Sequence, residues 1–398
     1  MNALQRAGFS FRGRLTCGLA LFSLAACGGT DQLAGPLNPP PTPIPSTCAV
    51  RASTVSAPSP QLAPYTSFAL GTAGADHAVA EDINDEGWVV GFGFGSTAPG
   101  LPFSRAFLWR PGAGFTPLGT AGLGDSRAFG INNNRQVVGW VGDLSLNETI
   151  ATLWTLDADG APVETTVFGP SGPRSVARDI NGKGQIVGEI GIPFDFGADR
   201  ARATLWTIQA DGSIDTRDLG ALGDSPGFEA RASDPEYSLA HRINEAGQVV
   251  GTSVIVGRPC SVLWTETGDI GLVGPGMAGE AIGINDLGEI VGHAGTTRFP
   301  FLGPAYLWSP ERGLVSLGTG RVATAHAINN RGQVVGQVDP GARSSSGLIR
   351  AFVWTPETGM QTLPPDSFYG EARSINSDGL IAGLSNPSGT EATLWNPR

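Results

Sequence analysis

The sequence has little of the chemistry that enzymes most often use. Only four of its 398 residues are histidine and four are cysteine. No His-Glu-x-x-His or Cys-His arrangement occurs, which excludes the common zinc-hydrolase and thiol-nucleophile motifs. No Gly-x-Ser-x-Gly elbow stands between a strand and a helix, which excludes the usual serine-hydrolase signature. The sequence therefore predicts no catalytic residues, no metal ligands and no cofactor.

Positive charge is scarce as well. Lys183 is the only lysine, and 25 basic residues stand against 36 acidic ones, giving a formal net charge of −11. Nucleic acids and anionic lipid surfaces are bound by clustered basic side chains. We therefore expect no nucleic-acid partner and no direct contact of the folded domain with lipid headgroups.

Long apolar runs are absent except at the N terminus. Residues 15–26 form an apolar run that follows three arginines and is too short for a permanent membrane helix. The run ends in Leu24-Ala25-Ala26-Cys27-Gly28, which resembles the lipobox of bacterial lipoproteins. The resemblance implies that residues 1–26 are a signal peptide and that the sulfur of Cys27 carries a lipid.

Proline-rich sequence follows the proposed lipid site. Residues 27–62 contain six prolines between positions 36 and 45, which favour an extended tether that cannot join a sheet. By analogy with lipoprotein sorting, Gly28 after the cysteine favours the outer membrane. We expect a lipid-anchored protein, periplasmic or at the cell surface, whose only link to the membrane is the lipid.

The rest of the chain repeats one sequence motif seven times: Ala-x-x-Ile-Asn, a short gap, a Val-Val-Gly-like triplet, then a strand that ends in tryptophan. Counted from Ile to Ile, the repeats are 41 to 63 residues long, which is typical of propeller blades. Short apolar runs separated by Gly, Asn, Asp and Pro predict four β-strands in each repeat. The repeated asparagines are Asn84, Asn132, Asn181, Asn244, Asn285, Asn329 and Asn376.

The turn between the first two strands has a constant length in all seven copies. A glycine stands three residues after the asparagine in six of them, which predicts a tight turn with a positive φ at that glycine. Arg135 replaces the glycine in the second copy. We expect either backbone strain or a shifted turn there.

The last copy ends after its third strand, at Trp395, so one strand is missing. Residues 70–74 match residues 118–122, which follow a fourth strand, so the segment before Leu70 resembles a displaced fourth strand. We predict that it completes the last blade and leaves no frayed edge. The predicted fold is an all-β, seven-bladed propeller of four-stranded blades over residues 63–398.

The wording Leu-Gly-Thr-x-Gly, Ala-x-x-Ile-Asn, Gln-Val-Val-Gly and Ala-Phe-Leu-Trp resembles the bacterial extracellular repeat family called HAF, after its His-Ala-Phe tripeptide. The resemblance covers residues 65–398, with arginine in place of that histidine at Arg105 and Arg350. It implies an exported repeat protein. It carries no catalytic residues over to this chain.

One position of the first strand in each repeat should line the central channel. It holds Glu81, Phe129, Arg178, His241, Ile282, His326 and Arg373. His241 and His326 are the only pair of histidines at matching positions, but their blades are not adjacent. We interpret them as polar channel-wall residues rather than as metal ligands.

Two cysteines remain once the signal peptide is removed and Cys27 is lipidated. They are Cys48, ahead of the closing strand, and Cys260, in the fourth repeat. An exported protein lies where disulfides form. Sequence alone does not place the two Cα atoms within about 7 Å of each other, so a Cys48–Cys260 bridge stays an open alternative.

Variation in loop length is concentrated on one face of the predicted disc, and loops on a rigid scaffold are where recognition usually occurs. Two long loops combine aromatic and acidic residues suited to a sugar, a cation or a basic loop. The candidate binding residues are Phe194, Asp195, Phe196, Asp199, Phe228, Asp234, Glu236 and Tyr237.

The sequence thus favours a monomeric binding or scaffold module for an unidentified protein or glycan at the cell envelope. A hydrolase or lyase acting on glycans at the channel mouth is the alternative, because propellers assemble paired acids from separate blades and leave no local motif. A purely structural surface protein is a third.

Overall fold

The computed structural model describes thirteen stretches of the chain. They are residues 61–97, 101–146, 148–169, 174–191, 201–224, 237–255, 258–274, 278–295, 303–318, 322–339, 348–365, 369–386 and 390–398. Within these stretches nearly all regular structure is β-strand, and a single turn of 3-10 helix spans Leu222–Asp224. No helix in the described stretches is long and apolar enough to cross a membrane.

The strands form seven antiparallel sheets, each the size of one sequence repeat, and the predicted seven-bladed propeller is confirmed. The first three blades are β3 (His77–Ile83), β4 (Val89–Thr97), β5 (Leu101–Arg110) and β6 (Gly114–Pro117); β7 (Asp125–Ile131), β8 (Gln136–Asp143), β9 (Glu148–Leu156) and β10 (Pro162–Val167); and β11 (Ser175–Ile180), β12 (Gln185–Ile190), β13 (Arg202–Ile208) and β14 (Ile214–Asp218).

The fourth and fifth blades keep the same strand order. They are β15 (Ser238–Ile243), β16 (Val249–Ile255), β17 (Arg258–Trp264) and β18 (Ile270–Leu272); and β19 (Gly279–Ile284), β20 (Ile290–Ala294), β21 (Ala305–Ser309) and β22 (Gly313–Ser316). The sixth and seventh blades contain β23 (Ala323–Ile328), β24 (Val334–Val338), β25 (Arg350–Thr355) and β26 (Gly359–Thr362); and β27 (Tyr369–Ile375), β28 (Ile381–Asn386) and β29 (Glu391–Pro397).

The hydrophobic core lies between the blades, because a blade has two faces to bury and can do so only against its neighbours. One cluster joins Val187 and Leu205 of the third blade to Val249 and Trp264 of the fourth. The repeated tryptophans fill these interfaces, and four of the seven have no exposed surface: Trp154, Trp206, Trp264 and Trp395.

The N-terminal segment closes the ring, as the sequence predicted. Strand β2 (Tyr65–Gly71) pairs antiparallel with β29 and supplies the fourth strand of the seventh blade. A shorter strand, β1 (Gln61–Leu62), pairs in parallel with β26 and gives the sixth blade a fifth strand. The segment therefore covers the outer edge of one blade before it completes the next.

The repeated asparagine organises the turn after each innermost strand. Its Oδ1 accepts the backbone N–H of the residue four positions on, at 2.9–3.1 Å in all seven copies. Its Nδ2 donates to the backbone oxygen of the next asparagine around the ring, at 3.0–3.3 Å. The last of these bonds, from Asn376 to Asn84, closes a circle of seven.

The predicted turn glycines have φ between 73° and 87° at Gly87, Gly184, Gly247, Gly288, Gly332 and Gly379. Arg135 keeps the same turn with φ of 61°, so the second copy carries strain rather than a shifted turn. Its guanidinium lies 5.4 Å from the centroid of the Trp88 ring and 3.2 Å from Glu86. These contacts offset part of the strain.

Candidate functional site: the central channel

Each innermost strand contains a β-bulge at the same position. The pairing with the second strand skips one residue in every blade, directly after the repeated alanine. A bulge leaves its extra residue unpaired and turns that side chain away from the ladder. The skipped residues are Glu81, Phe129, Arg178, His241, Ile282, His326 and Arg373.

These seven side chains line one cavity of about 230 Å³. We name them the bulge ring. Two neighbours, Arg242 and Glu280, complete the lining. Sequence alignment of the repeats identified the seven positions as channel residues but missed these two, because their positions in other blades hold residues that do not reach the cavity.

The third residue of the Val-Val-Gly triplet explains why the bulges form. A Cβ at this glycine would lie 1.9–2.0 Å from a carbonyl oxygen of the innermost strand in every blade. Only glycine allows the bulged backbone to come so close. The glycines are Gly91, Gly139, Gly188, Gly251, Gly292, Gly336 and Gly383.

Arg178 is held by a buried carboxylate behind it. Its Nη2 donates to Oε1 of Glu189 at 2.6 Å, and its Nε donates to the same carboxylate at 3.1 Å. The Glu189 side chain is only 3% exposed. Burial opposes the charge of Arg178, but the Glu189 carboxylate outweighs it and raises the pKa of Arg178. The guanidinium also lies 5.2 Å from the centroid of the Phe129 ring.

Arg373 bridges the first and last blades of the chain. Its Nη1 donates to Oε2 of Glu81 at 3.4 Å, and its Nε lies 3.0 Å from Oε1 of Glu371. The two carboxylates come from opposite ends of the repeat region, so no local motif shows this cluster. The closure of the ring therefore also assembles part of the channel wall.

The two histidines of the bulge ring are kept neutral. Burial lowers the pKa of His326 to about 4, against the opposing effect of Glu371, and Nδ1 of His326 lies 3.1 Å from the backbone oxygen of Ala372. Burial also lowers the pKa of His241, whose Nε2 lies 3.3 Å from Oγ1 of Thr252. At neutral pH both rings therefore act as uncharged hydrogen-bonding groups.

A second layer of charge lies one residue beyond the bulges. Nη1 of Arg242 lies 3.7 Å from Oδ1 of Asp179. Burial raises the pKa of Asp179 to about 6, the Arg242 charge opposes that rise, and the nearby Asp82 adds to it. Asp179 accepts the backbone N–H of Ile243 at 2.9 Å, and Asp82 accepts that of Ile131 at 2.9 Å, so both carboxylates tie neighbouring blades together.

Within the described ranges, no group of three or more His, Cys, Asp or Glu side chains is placed to hold a metal ion. His241 and His326 both line the cavity but belong to the fourth and sixth blades. Nδ1 of His326 lies 3.4 Å from Oε1 of Glu371.

Most of the binding-face residues predicted from the sequence lie outside the described residues: Phe194, Asp195, Phe196, Asp199, Phe228, Asp234 and Glu236. The same holds for Cys27 and Cys48. Tyr237 is described and lies half-buried just before β15, where its backbone oxygen accepts the N–H of Val254 at 2.8 Å. Cys260 is fully buried and disulfide-bonded, with its partner outside the described stretches, so the pairing with Cys48 stays an open alternative.

Comparison with known proteins gives a family match over part of the chain and a shared fold. Residues 117–272 match the family model described as a protein of unknown function, DUF3466. The HAF resemblance drawn from the sequence is therefore wrong, since DUF3466 is the family found. The repeated residues on which the resemblance was based are the ones that a blade of this kind needs: the turn asparagine, the glycine facing the bulge and the interface tryptophan. No curated protein matches the chain in sequence.

Solved structures share the propeller fold at low identity. The β-propeller domain of the Trilobed protease from Pyrococcus furiosus, described as having an open velcro topology, is 10% identical with a TM-score of 0.51, covering 81% of this chain and 95% of that one. Acylaminoacyl peptidase from Pyrococcus horikoshii is 10% identical with a TM-score of 0.53, covering 83% of this chain and 53% of that one. Puromycin hydrolase is 13% identical with a TM-score of 0.53, covering 83% and 55%.

The chain spans about half the length of the two hydrolases. At these identities the likeness concerns the fold alone.

Proposed function

We propose that this protein is an exported binding module, anchored to the cell envelope through Cys27, that holds a small ligand in its central channel beneath the variable loop face. The bulge ring is the observation that carries the proposal. Seven blades each place one side chain in the same cavity, and their backbones are fixed by the glycine opposite and the asparagine turn below. A pre-formed cavity with a few fixed polar groups is the usual form of a ligand site.

The alternative of a glycoside hydrolase is less well supported by the same cavity. Such an enzyme needs a carboxylic acid with a raised pKa. Of the two carboxylates that line the cavity, Glu280 has a lowered pKa: burial acts to raise it, but the adjacent His293 imidazole outweighs burial. Glu280 thus stays ionised at neutral pH and is a poor proton donor.

The proposal is tested by loading the full chain with the small-molecule fraction of an envelope extract, washing it, and identifying retained compounds by mass spectrometry after denaturation. Ile282→Trp fills the cavity from a wall position, and Leu287→Trp adds the same side chain at a turn position that is 67% exposed. We expect a compound that the wild type and Leu287→Trp retain and Ile282→Trp loses. Retention that does not depend on Ile282 would contradict channel binding.

A further inference from the structure

We propose that the channel ligand is a neutral sugar, held as a single ring or as the terminal ring of a glycan, and bound through hydrogen bonds to side chains of a wall whose arginines already face carboxylates. The inference rests on the proposed function, since it names the ligand class for the same cavity.

The first step is that the arginines of the bulge ring are not free to bind an anion. Arg178 is held by two hydrogen bonds to Glu189, and Arg373 lies between Glu81 and Glu371. A carboxylate or phosphate would have to compete with these acids for the guanidinium charge. The side chains of Glu189 and Glu371 are 3% and 6% exposed, so displacement would leave buried charges unpaired, which is strongly unfavourable.

The second step concerns the third arginine of the lining and the ionisable groups beside it. Arg242 faces Asp179 at 3.7 Å, and Glu280 faces Nε2 of His293 at 3.7 Å. His241 and His326 are neutral at pH 7. Each of the three arginines of the lining therefore already faces a carboxylate and is not free to attract an anion.

The third step concerns what the wall does offer. Guanidinium, carboxylate and neutral imidazole groups present donors and acceptors in fixed directions. A planar group with two donors or two acceptors can form hydrogen bonds to two neighbouring hydroxyls at once, and sugars carry neighbouring hydroxyls of this kind. Phe129, braced by the edge of Phe92 at a centroid distance of 6.2 Å, and Ile282 supply apolar surface for the C–H face of a sugar ring.

Size limits the ligand. The cavity of about 230 Å³ is smaller than the roughly 300–1,000 Å³ pockets that enclose drug-sized molecules. One sugar ring, or the terminal ring of a longer glycan, matches this space. A free sugar and the terminal ring of a glycan offer the same chemistry, and the experiment distinguishes the two.

The experiment is isothermal titration calorimetry on the full chain with four sets of probes. They are neutral aldohexoses and N-acetylhexosamines, their neutral oligosaccharides, the charged analogues glucuronate and glucosamine, and inorganic phosphate. Ile282→Trp and Leu287→Trp are titrated in parallel, and the wild type is titrated at low and high sodium chloride.

We expect at least one neutral sugar to bind, with at least a tenfold loss in Ile282→Trp and no change in Leu287→Trp. Affinity should not fall with salt, because no ligand charge is screened. Tighter binding of the oligosaccharide than of the single sugar would identify the end of a glycan chain as the source.

Two results overturn the inference in distinguishable ways. If a charged probe binds with the same dependence on Ile282 while the neutral sugars do not, the ligand class is wrong and channel binding stands. If no probe binds and the extract experiment shows no compound that depends on Ile282, both the ligand class and the proposed function fail.

Discussion

Gly251→Ala should destabilise the fourth blade, because the added methyl group has no room beside the bulge. The Cβ would lie 1.9 Å from the backbone oxygen of Leu239 and 3.0 Å from Cζ3 of Trp264. The first distance is about 1.5 Å inside ordinary contact, and a backbone oxygen in a bulge cannot rotate away as a side chain can. Either the bulge unwinds or the first two strands of the blade separate.

The expected cost is about 3 kcal/mol or more, at the upper end of what overpacking does. For a domain of this size the unfolding entropy is about 0.7 kcal/mol/K, so the melting temperature should fall by about 4 °C. Chemical and thermal denaturation followed by tryptophan fluorescence measures both.

Gly271→Ala is the matched control, because it lies in the same blade with nothing within 4 Å of the added Cβ. It should be neutral or stabilising by about 0.5 kcal/mol, since alanine restricts the unfolded chain. If Gly251→Ala proved as stable as Gly271→Ala, the argument that the glycine exists to admit the bulge would be refuted.

Three further predictions concern the turns and the channel. Gly184→Ala should cost about 1–2 kcal/mol in denaturant titration, because φ there is 74°; a neutral effect would contradict the strain argument. Asn244→Ala should cost about 2–3 kcal/mol, since it removes the turn acceptor and one of the two N–H donors to the backbone oxygen of Asn285, which keeps that of Gly288. A loss below about 0.5 kcal/mol, the size of ordinary surface effects, would show that the asparagine circle is dispensable. His326 has a pKa near 4 when folded and about 6.5 when unfolded, so the unfolded state takes the proton first as pH falls. The wild type should therefore lose about 3 kcal/mol of unfolding free energy between pH 6.5 and 4 through this group, and His326→Gln should lose correspondingly less. If the unfolding free energies of the two proteins fell in parallel with pH, the buried neutral state of His326 would be contradicted.

The sequence predicted the fold because blade-forming residues recur. The asparagine, the glycine and the tryptophan each serve one local purpose, and that purpose returns in every copy. The closing strand β2 was predictable for the same reason, since the residues after it repeat those after another fourth strand. Strand β1 was not, because Gln61–Leu62 belongs to no repeat and two residues carry no periodic pattern.

The site was predictable in position but only partly in chemistry. Aligning the repeats placed seven residues in the channel, yet it did not reveal the bulge that turns them inward. The pairing of Arg373 with Glu81 spans 292 residues, and the neutral state of His326 depends on burial by surrounding blades. Such features follow from the closed ring and have no counterpart in local sequence.

In each blade, the residues needed for folding are different from the bulge-ring residue that faces the channel. The glycine and asparagine positions are needed for the blade to fold, whereas the backbone of the bulged residue pairs with no residue of the second strand. Glutamate, phenylalanine, isoleucine, histidine and arginine already occupy that position within one chain. The channel wall is therefore a set of seven interchangeable positions on a constant frame, through which mutation can alter what the channel accepts while the blades that present it stay the same.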